Sequence, residues 1–398
     1  MSRRLTFLGG LLVASLTAAA ELRRPNIVVI LADDLGYGDV GCYNPESKIP
    51  TPNLDRLAKS GVRFTDAHSP STVCTPSRYS LLTGRMAFRT GYRGGVFTGV
   101  GGPSLIEADR LTLPGMLRQQ GYATAAVGKW HVGLTFQTAD GTPVHHVKIP
   151  GDDTGPAKEL ARIRLVDFTR PITDGPVHRG FDYFFGTACC PTTDWLYAYN
   201  RERPGADPAD HPARCRQATE APLRERLPPR LGRPGLRTRP GRPSPPRKEP
   251  GLADGAGEAR ARPTILLYHS DTGRAPAFLR GAKLPRASQA GPPGDFITEL
   301  DFVVGELLAT PRTDSRRRQY LDRLSSDNGP ETTAVVHMRA DQGHDPARPW
   351  RGMKRDDWEG GHRVPLIVRW HRPGGARRQR SDGLPHRLAG DLRRRHRD

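Results

Sequence analysis

The run Asn26-Ile27-Val28-Val29-Ile30-Leu31 constrains the fold of this 398-residue chain more than any other feature. Its aliphatic residues are consecutive and mostly β-branched, so neither face is polar and both must be covered. It stops at Ala32-Asp33-Asp34. Residues 51–60 then read as a short amphipathic helix, with Thr51 as N-cap, Pro52 in the first turn and Gly61 as the stop. Val62-Arg63-Phe64 opens a second strand, residues 113–120 a second helix, and residues 123–127 a further strand leading into Gly128-Lys129-Trp130-His131. Strand and helix alternating in this way predict an α/β fold with a mainly parallel central sheet flanked by helices. In such folds functional groups collect at the carboxyl ends of the strands.

The texture changes near residue 198. Residues 201–262 hold 15 Arg/Lys against 8 Asp/Glu, are rich in Pro and Gly, and have few aliphatics. They cannot bury enough apolar surface to order themselves. Pattern returns as a strand at 264–268, a helix at 295–308 and a strand at 364–368, and residues 371–398 form an Arg-rich tail. The basic insert and tail supply most of the net charge of +19. They lack interleaved aromatics and any nucleic-acid-binding module, so we expect no specific nucleic acid partner.

At the N-terminus, Arg3-Arg4, an apolar stretch from Leu5 to Leu16 and Ala18-Ala19-Ala20 have the layout of a signal peptide over residues 1–20. The apolar stretch is shorter than the roughly 20 residues of a membrane span. A periplasmic or secreted location follows as the expectation. Five cysteines (42, 74, 189, 190 and 215) form no obvious disulfide framework, and the adjacent 189/190 pair is badly placed to bridge to itself.

Asp33 and Asp34 are neighbouring carboxylates at a strand end, a donor set suited to an oxygen-loving cation. Cys74 lies in Val73-Cys74-Thr75-Pro76-Ser77-Arg78, followed by Leu82-Thr83-Gly84-Arg85. This run resembles the signature of the sulfatase family, arylsulfatase type, of the alkaline phosphatase superfamily. Residues 24–39 resemble the same family's N-terminal signature, and Gly128-Lys129-Trp130-His131-Val132-Gly133 its second one. The resemblance implies oxidation of Cys74 to formylglycine by a formylglycine-generating or sulfatase-maturing enzyme. It implies Ca²⁺, less readily Mg²⁺, held by Asp33, Asp34, residue 74, Asp327 and Asn328. By the same resemblance Arg78 supports the nucleophile, Lys129 and Lys354 bind sulfate, and His131 positions or deprotonates the hydrate. Histidine suits that proton work because its pKa lies near neutrality.

The family places a sulfate-binding histidine a few residues beyond the strand at 264–268. Here Asp271-Thr272-Gly273-Arg274 follow, which leaves His269 as the candidate and His178 as a more distant one. Residues 316–323 (RRRQYLDR) stand where the family has an apolar strand, and so charged a segment is not expected in a buried central position. Small insertions or deletions in the coding sequence, reading some segments out of frame, account for these gaps. A divergent chain with disordered basic inserts is the other account. The family's smaller C-terminal subdomain has no counterpart after Trp370, so we expect that layer to be truncated. The catalytic domain is expected over residues 21–370. Hydrolysis of sulfate esters is the expected activity, with phosphate or phosphonate ester hydrolysis, or an inactive product, as the alternatives.

Overall fold

In a computed structural model of the chain, residues 24–97, 100, 102–149, 161–190, 197–201, 264–270, 288–309 and 319–371 are described. The expected signal peptide, nearly all of the basic insert and tail, Cys215 and residues 271–287 lie outside them. Among the described residues, eight strands form one sheet: β1 (Asn26–Ala32), β2 (Val62–Phe64), β3 (Ala123–Lys129), β4 (Tyr183–Thr187), β5 (Tyr197–Arg201), β6 (Ile265–Ser270), β7 (Tyr320–Ser326) and β8 (Leu366–His371). Their order is β2-β8-β7-β1-β6-β3-β4-β5. The central pairs β7–β1, β1–β6, β6–β3 and β3–β4 are parallel, whereas the outer pairs β2–β8, β8–β7 and β4–β5 are antiparallel. The mainly parallel α/β architecture read from the sequence is therefore the one observed.

The helices are α1 (Pro52–Lys59), α2 (Cys74–Thr83), α3 (Leu113–Gln119), α4 (Gly291–Ala309), α5 (Thr332–Gln342) and the single turn α6 (Glu359–His362). Among the described residues, no helix is long and apolar enough to cross a membrane. β1 sits at the middle because it is apolar on both faces. Val29 and Leu31 pack into one core with Tyr79, Trp130 and Phe184. Val28, Ile30 and Ala32 enter the other, with Leu54, Leu57 and Val304. Thr51 does precede α1, but its hydroxyl accepts from Gly41 N (2.9 Å) instead of capping the helix. The first amides of α1 are held from outside by Asp301 on α4, whose carboxylate accepts from Asn53 N and Leu54 N.

One further expectation needs correction. The charged segment before Asp327 is a strand: β7 pairs with β1 across its whole length and with β8 on its other side. It is tolerated because the buried Asp322 carboxylate accepts from Arg369 on β8, at 2.9 Å from Nε and 2.6 Å from Nη2. Leu324 meanwhile supplies the apolar contact expected of a core strand. Residues 316–318 lie outside the described part. Helix α2 begins at Cys74 itself.

Candidate active site

β1, β3 and β7 deliver their C-terminal residues to one end of the sheet, and α2 starts beside them. Asp33, Asp34, Cys74 and Asp327 each bring a donor atom to within 4.8 Å of the others. The turn after β1 is pinned to the loop after β7 by Asp327 N–Ala32 O (3.2 Å), Leu35 N–Ser326 Oγ (3.0 Å) and Asp34 N–Asp327 Oδ1 (3.3 Å). Asp34 takes a φ of 62° there, a left-handed backbone that Asp tolerates better than most side chains. It aims the two carboxylates in different directions.

Each acid meets a cation. Lys129 Nζ, at the end of β3, donates to both Asp33 oxygens at 2.7 and 2.9 Å and lies 3.4 Å from Cys74 Sγ. Lys354 Nζ contacts Asp34 Oδ1 at 2.6 Å and Glu331 Oε2 at 3.0 Å. Arg78, wholly buried in the second turn of α2, donates from Nε to Asp327 Oδ2 at 2.8 Å and from Nη1 to Lys129 O and Ser270 Oγ. Its Nη2 reaches Asp33 Oδ1 at 3.3 Å. Gly128 lets β3 come this close to β6. It sits at φ 102°, and a Cβ there would lie 1.7 Å from Ser270 O.

The electrostatics separate these acids. Burial works against ionisation of Asp33, yet the charges of Lys129 and Arg78 outweigh it and hold the carboxyl well below the usual range. Burial, followed by the Asp33 charge, pushes Asp34 up to about 8. Burial and the Cys74 sulfur push Asp327 up to about 7. The raised values of Asp34 and Asp327 mark crowded carboxylates whose charged forms a bound cation would favour. Asn328 carries the same signal. Its Nδ2 donates to Asp34 Oδ1 at 2.7 Å and to Gly329 O, while its buried Oδ1 has no hydrogen-bond partner. An orphaned acceptor beside crowded acids matches the oxygen donor set of a hard cation.

His131, also at positive φ, is fully buried. Its Nε2 is 2.7 Å from Phe97 O, so that nitrogen carries the hydrogen and Nδ1 keeps a lone pair. Burial, reinforced by the Lys129 and Arg78 charges, holds its pKa well below the usual histidine value. The ring is neutral.

The sequence-based residues Asp33, Asp34, Cys74, Arg78, Lys129, His131, Asp327, Asn328 and Lys354 thus come together. His269 does not. It pairs in register with Ile30 and Val127, and strand alternation turns it to the face opposite Ser270 and its Arg78 contact. His178 is exposed on a 3₁₀ turn. Two residues enter unannounced. Cys190 donates a hydrogen bond that holds the Cys74 thiol well below its usual pKa, and it lies 3.9 Å from His131 Nδ1. Glu331 completes the setting of Lys354. The Cys189-Cys190 doublet was the signal for the first, but it pointed only to a disulfide question. The loop at residues 191–196, where a ring-stacking Trp195 was expected, lies outside the described residues.

The family model described as Sulfatase matches residues 25–212. The chain is 34% identical to human arylsulfatase A over 397 residues, 96% of this chain and 65% of that protein. It is 31% identical to an N-acetylgalactosamine-6-O-sulfatase of Bacteroides thetaiotaomicron, over 87% of this chain and 68% of the relative. A solved structure from a glycosaminoglycan-metabolism locus of the same bacterium shares the fold with a TM-score of 0.56 at 25% identity, over 88% of this chain and 72% of that one. A sulfatase from Pseudoalteromonas sp. (TM-score 0.51, 23% identity, 87% and 62% covered) matches in fold. The chain thus spans just under two thirds of the length of human arylsulfatase A.

Proposed function

The chain belongs to the sulfatase family, and from that membership we propose that it hydrolyses sulfate esters and releases inorganic sulfate. The observation that carries the reading is the meeting of Asp33, Asp34, Cys74 and Asp327 between the ammonium groups of Lys129 and Lys354. A tetrahedral anion needs positive charge on several sides, and the nucleophile needs a cation at its oxygen.

Asp33, Asp34, Asp327 and the Asn328 Oδ1 would hold Ca²⁺, which when bound neutralises the carboxylates and polarises a sulfate oxygen. Formylglycine at position 74 would supply a hydrate with one oxygen to attack sulfur and a second hydroxyl that lets the product leave. The remaining work falls to side chains of the chain. Lys129 Nζ and Lys354 Nζ bind the equatorial oxygens of the ester as compact charges. His131 presents Nδ1 as a proton acceptor, its tautomer fixed by Phe97 O. Arg78, tied to Asp327, Lys129 O and Ser270, orients the acids and the start of α2 without touching substrate. Losing Lys129 or Lys354, the donors that face the sulfate, should cost about 10²–10³ in kcat.

In this reading residues 21–370 are the catalytic domain, residues 1–20 direct export, and a maturing enzyme converts Cys74. An aryl or glycan sulfate is the substrate class suggested by the relatives' names. The test has two parts. Mass spectrometry of the tryptic peptide containing residue 74, after expression in a host that matures sulfatases, should show the aldehyde. The matured chain should release sulfate from nitrophenyl sulfate faster than phosphate from nitrophenyl phosphate. A retained thiol together with no turnover would overturn the assignment, and faster phosphate release would move it to phosphoesters.

A further inference from the structure

Two imidazoles meet away from this centre, on the segments that lead to it. His68 Nδ1 and His362 Nδ1 are 2.8 Å apart, with ring centroids 4.9 Å apart. The far nitrogen of each ring is held. His68 Nε2 lies 2.9 Å from Asp66 Oδ1, and His362 Nε2 lies 3.3 Å from the carbonyl oxygen of Asp357. A carboxylate and a carbonyl only accept, so both Nε2 atoms carry hydrogen. The neutral rings then point two Nδ1 lone pairs at each other, an arrangement that calls for a cation between them. A carboxylate oxygen of Glu359 completes a set of three donor atoms within 4.8 Å of one another. Arg363 fixes the frame by donating to Glu359 Oε2 at 2.6 Å and to Asp66. An acid behind the far nitrogen of an imidazole is also how metal-ligating histidines are commonly oriented.

We propose that His68, His362 and Glu359 form a second metal site, for a borderline divalent cation of the Zn²⁺ type. Imidazole nitrogens with a carboxylate suit such an ion, whereas Ca²⁺ takes oxygen ligands throughout. With Zn–N bonds of about 2.0–2.1 Å, the two Nδ1 atoms need only a small opening to admit it. His68 is exposed, which leaves the fourth position to water. The ion would tie together the segment running into Cys74 and the one following Lys354. Those segments already touch through Ser69 N–His362 O (2.7 Å), Val364 N–Ala67 O (3.0 Å) and Arg355 N–Thr72 O (3.1 Å). Its role is to hold the nucleophile position and the sulfate-binding lysine at a fixed separation.

The experiment is a titration of the full chain with Zn²⁺ in excess Ca²⁺, so that the oxygen-lined centre is filled, with Co²⁺ as a spectroscopic stand-in. One equivalent should bind, with a Co²⁺ spectrum free of thiolate charge transfer. His68→Gln and His362→Gln should each weaken binding at least tenfold, while Cys74→Ala keeps it. Should either histidine variant fail to fold, Glu359→Gln, altered at a half-exposed side chain, should weaken Zn²⁺ by about tenfold. The proposal falls if no equivalent binds in Ca²⁺, which would mean that one proton bridges the rings. It also falls if the variants that fold, Glu359→Gln included, bind as the parent does, or if Cys74→Ala abolishes binding.

Discussion

Helix α2 and strand β7 both line a cavity of about 270 Å³, and each carries an arginine toward the interior. On α2, Arg78 is wholly buried and meets Asp327, Asp33 and two further acceptors. On β7, Arg323 lines the cavity, and burial pushes its guanidinium below the usual arginine value. Among the described residues no carboxylate pairs with it. The contrast shows where charge in this core is organised and where it is merely accommodated. Around Asp33 each buried ion has partners from a different part of the chain. On β7 only Asp322 is matched, by its cross-strand neighbour Arg369.

Breaking the organised side should have the largest effect. Arg78→Met leaves Asp327 buried without its cation, and losing one partner of such a pair costs about 3–5 kcal/mol. Urea unfolding in chelator should show that loss. An unchanged midpoint would mean that the Arg78 network adds nothing to stability. On β7, Arg369→Ala removes the cross-strand cation from the buried Asp322 carboxylate and should cost about 3 kcal/mol. Replacing both residues by valine should return stability to within about 1 kcal/mol of the parent, because well-packed apolar residues substitute for a buried pair. The same double removal at Arg78 and Asp327 should abolish turnover.

His269, on β6, belongs to neither region. Burial lowers its pKa from 6.5 to about 4, so the unfolded chain binds a proton in that window that the folded chain refuses. Stability should therefore fall as pH drops through the window, by about 2 kcal/mol between pH 7 and 5, and level off below pH 4. The His269→Gln variant should lose this slope in pH-dependent urea melts. The smallest effect belongs to Arg323→Leu, which removes an unmatched charge and extends apolar contact. It should stabilise by about 1 kcal/mol, read as a rise in urea midpoint. A fall instead would show that Arg323 has an electrostatic role comparable with that of Arg78.

The same contrast governs what was legible in the sequence. β1, α1 and β3 could be read because apolar periodicity and stop signals agree with the final burial. The site residues were legible through runs of neighbours: Asp33-Asp34, the Cys74 pentapeptide and Lys129-x-His131. β7 was illegible because its fitness as a strand depends on Arg369, forty-seven residues on, and no local pattern encodes that partner. β4 and β5 were missed where aromatics replace the β-branched signal, and α5 where Gly-Pro punctuation and a polar face hid a helix. Cys190 is near Cys74 only because β4 lies next to β3.

Cys74 is fully inaccessible once the chain is folded, and this sets an order of events during biogenesis. The walls that enclose it come from β3 and from β7 onward, so the burial is finished only after residue 354 has been made. At synthesis rates of roughly 5–20 residues per second, the thiol stays open for some tens of seconds after its own peptide bond forms. Any enzyme acting on that sulfur must recognise the segment as an extended peptide within that interval. Variants that fold faster or more tightly around α2 would shorten it, and could yield a more stable protein with a smaller modified fraction.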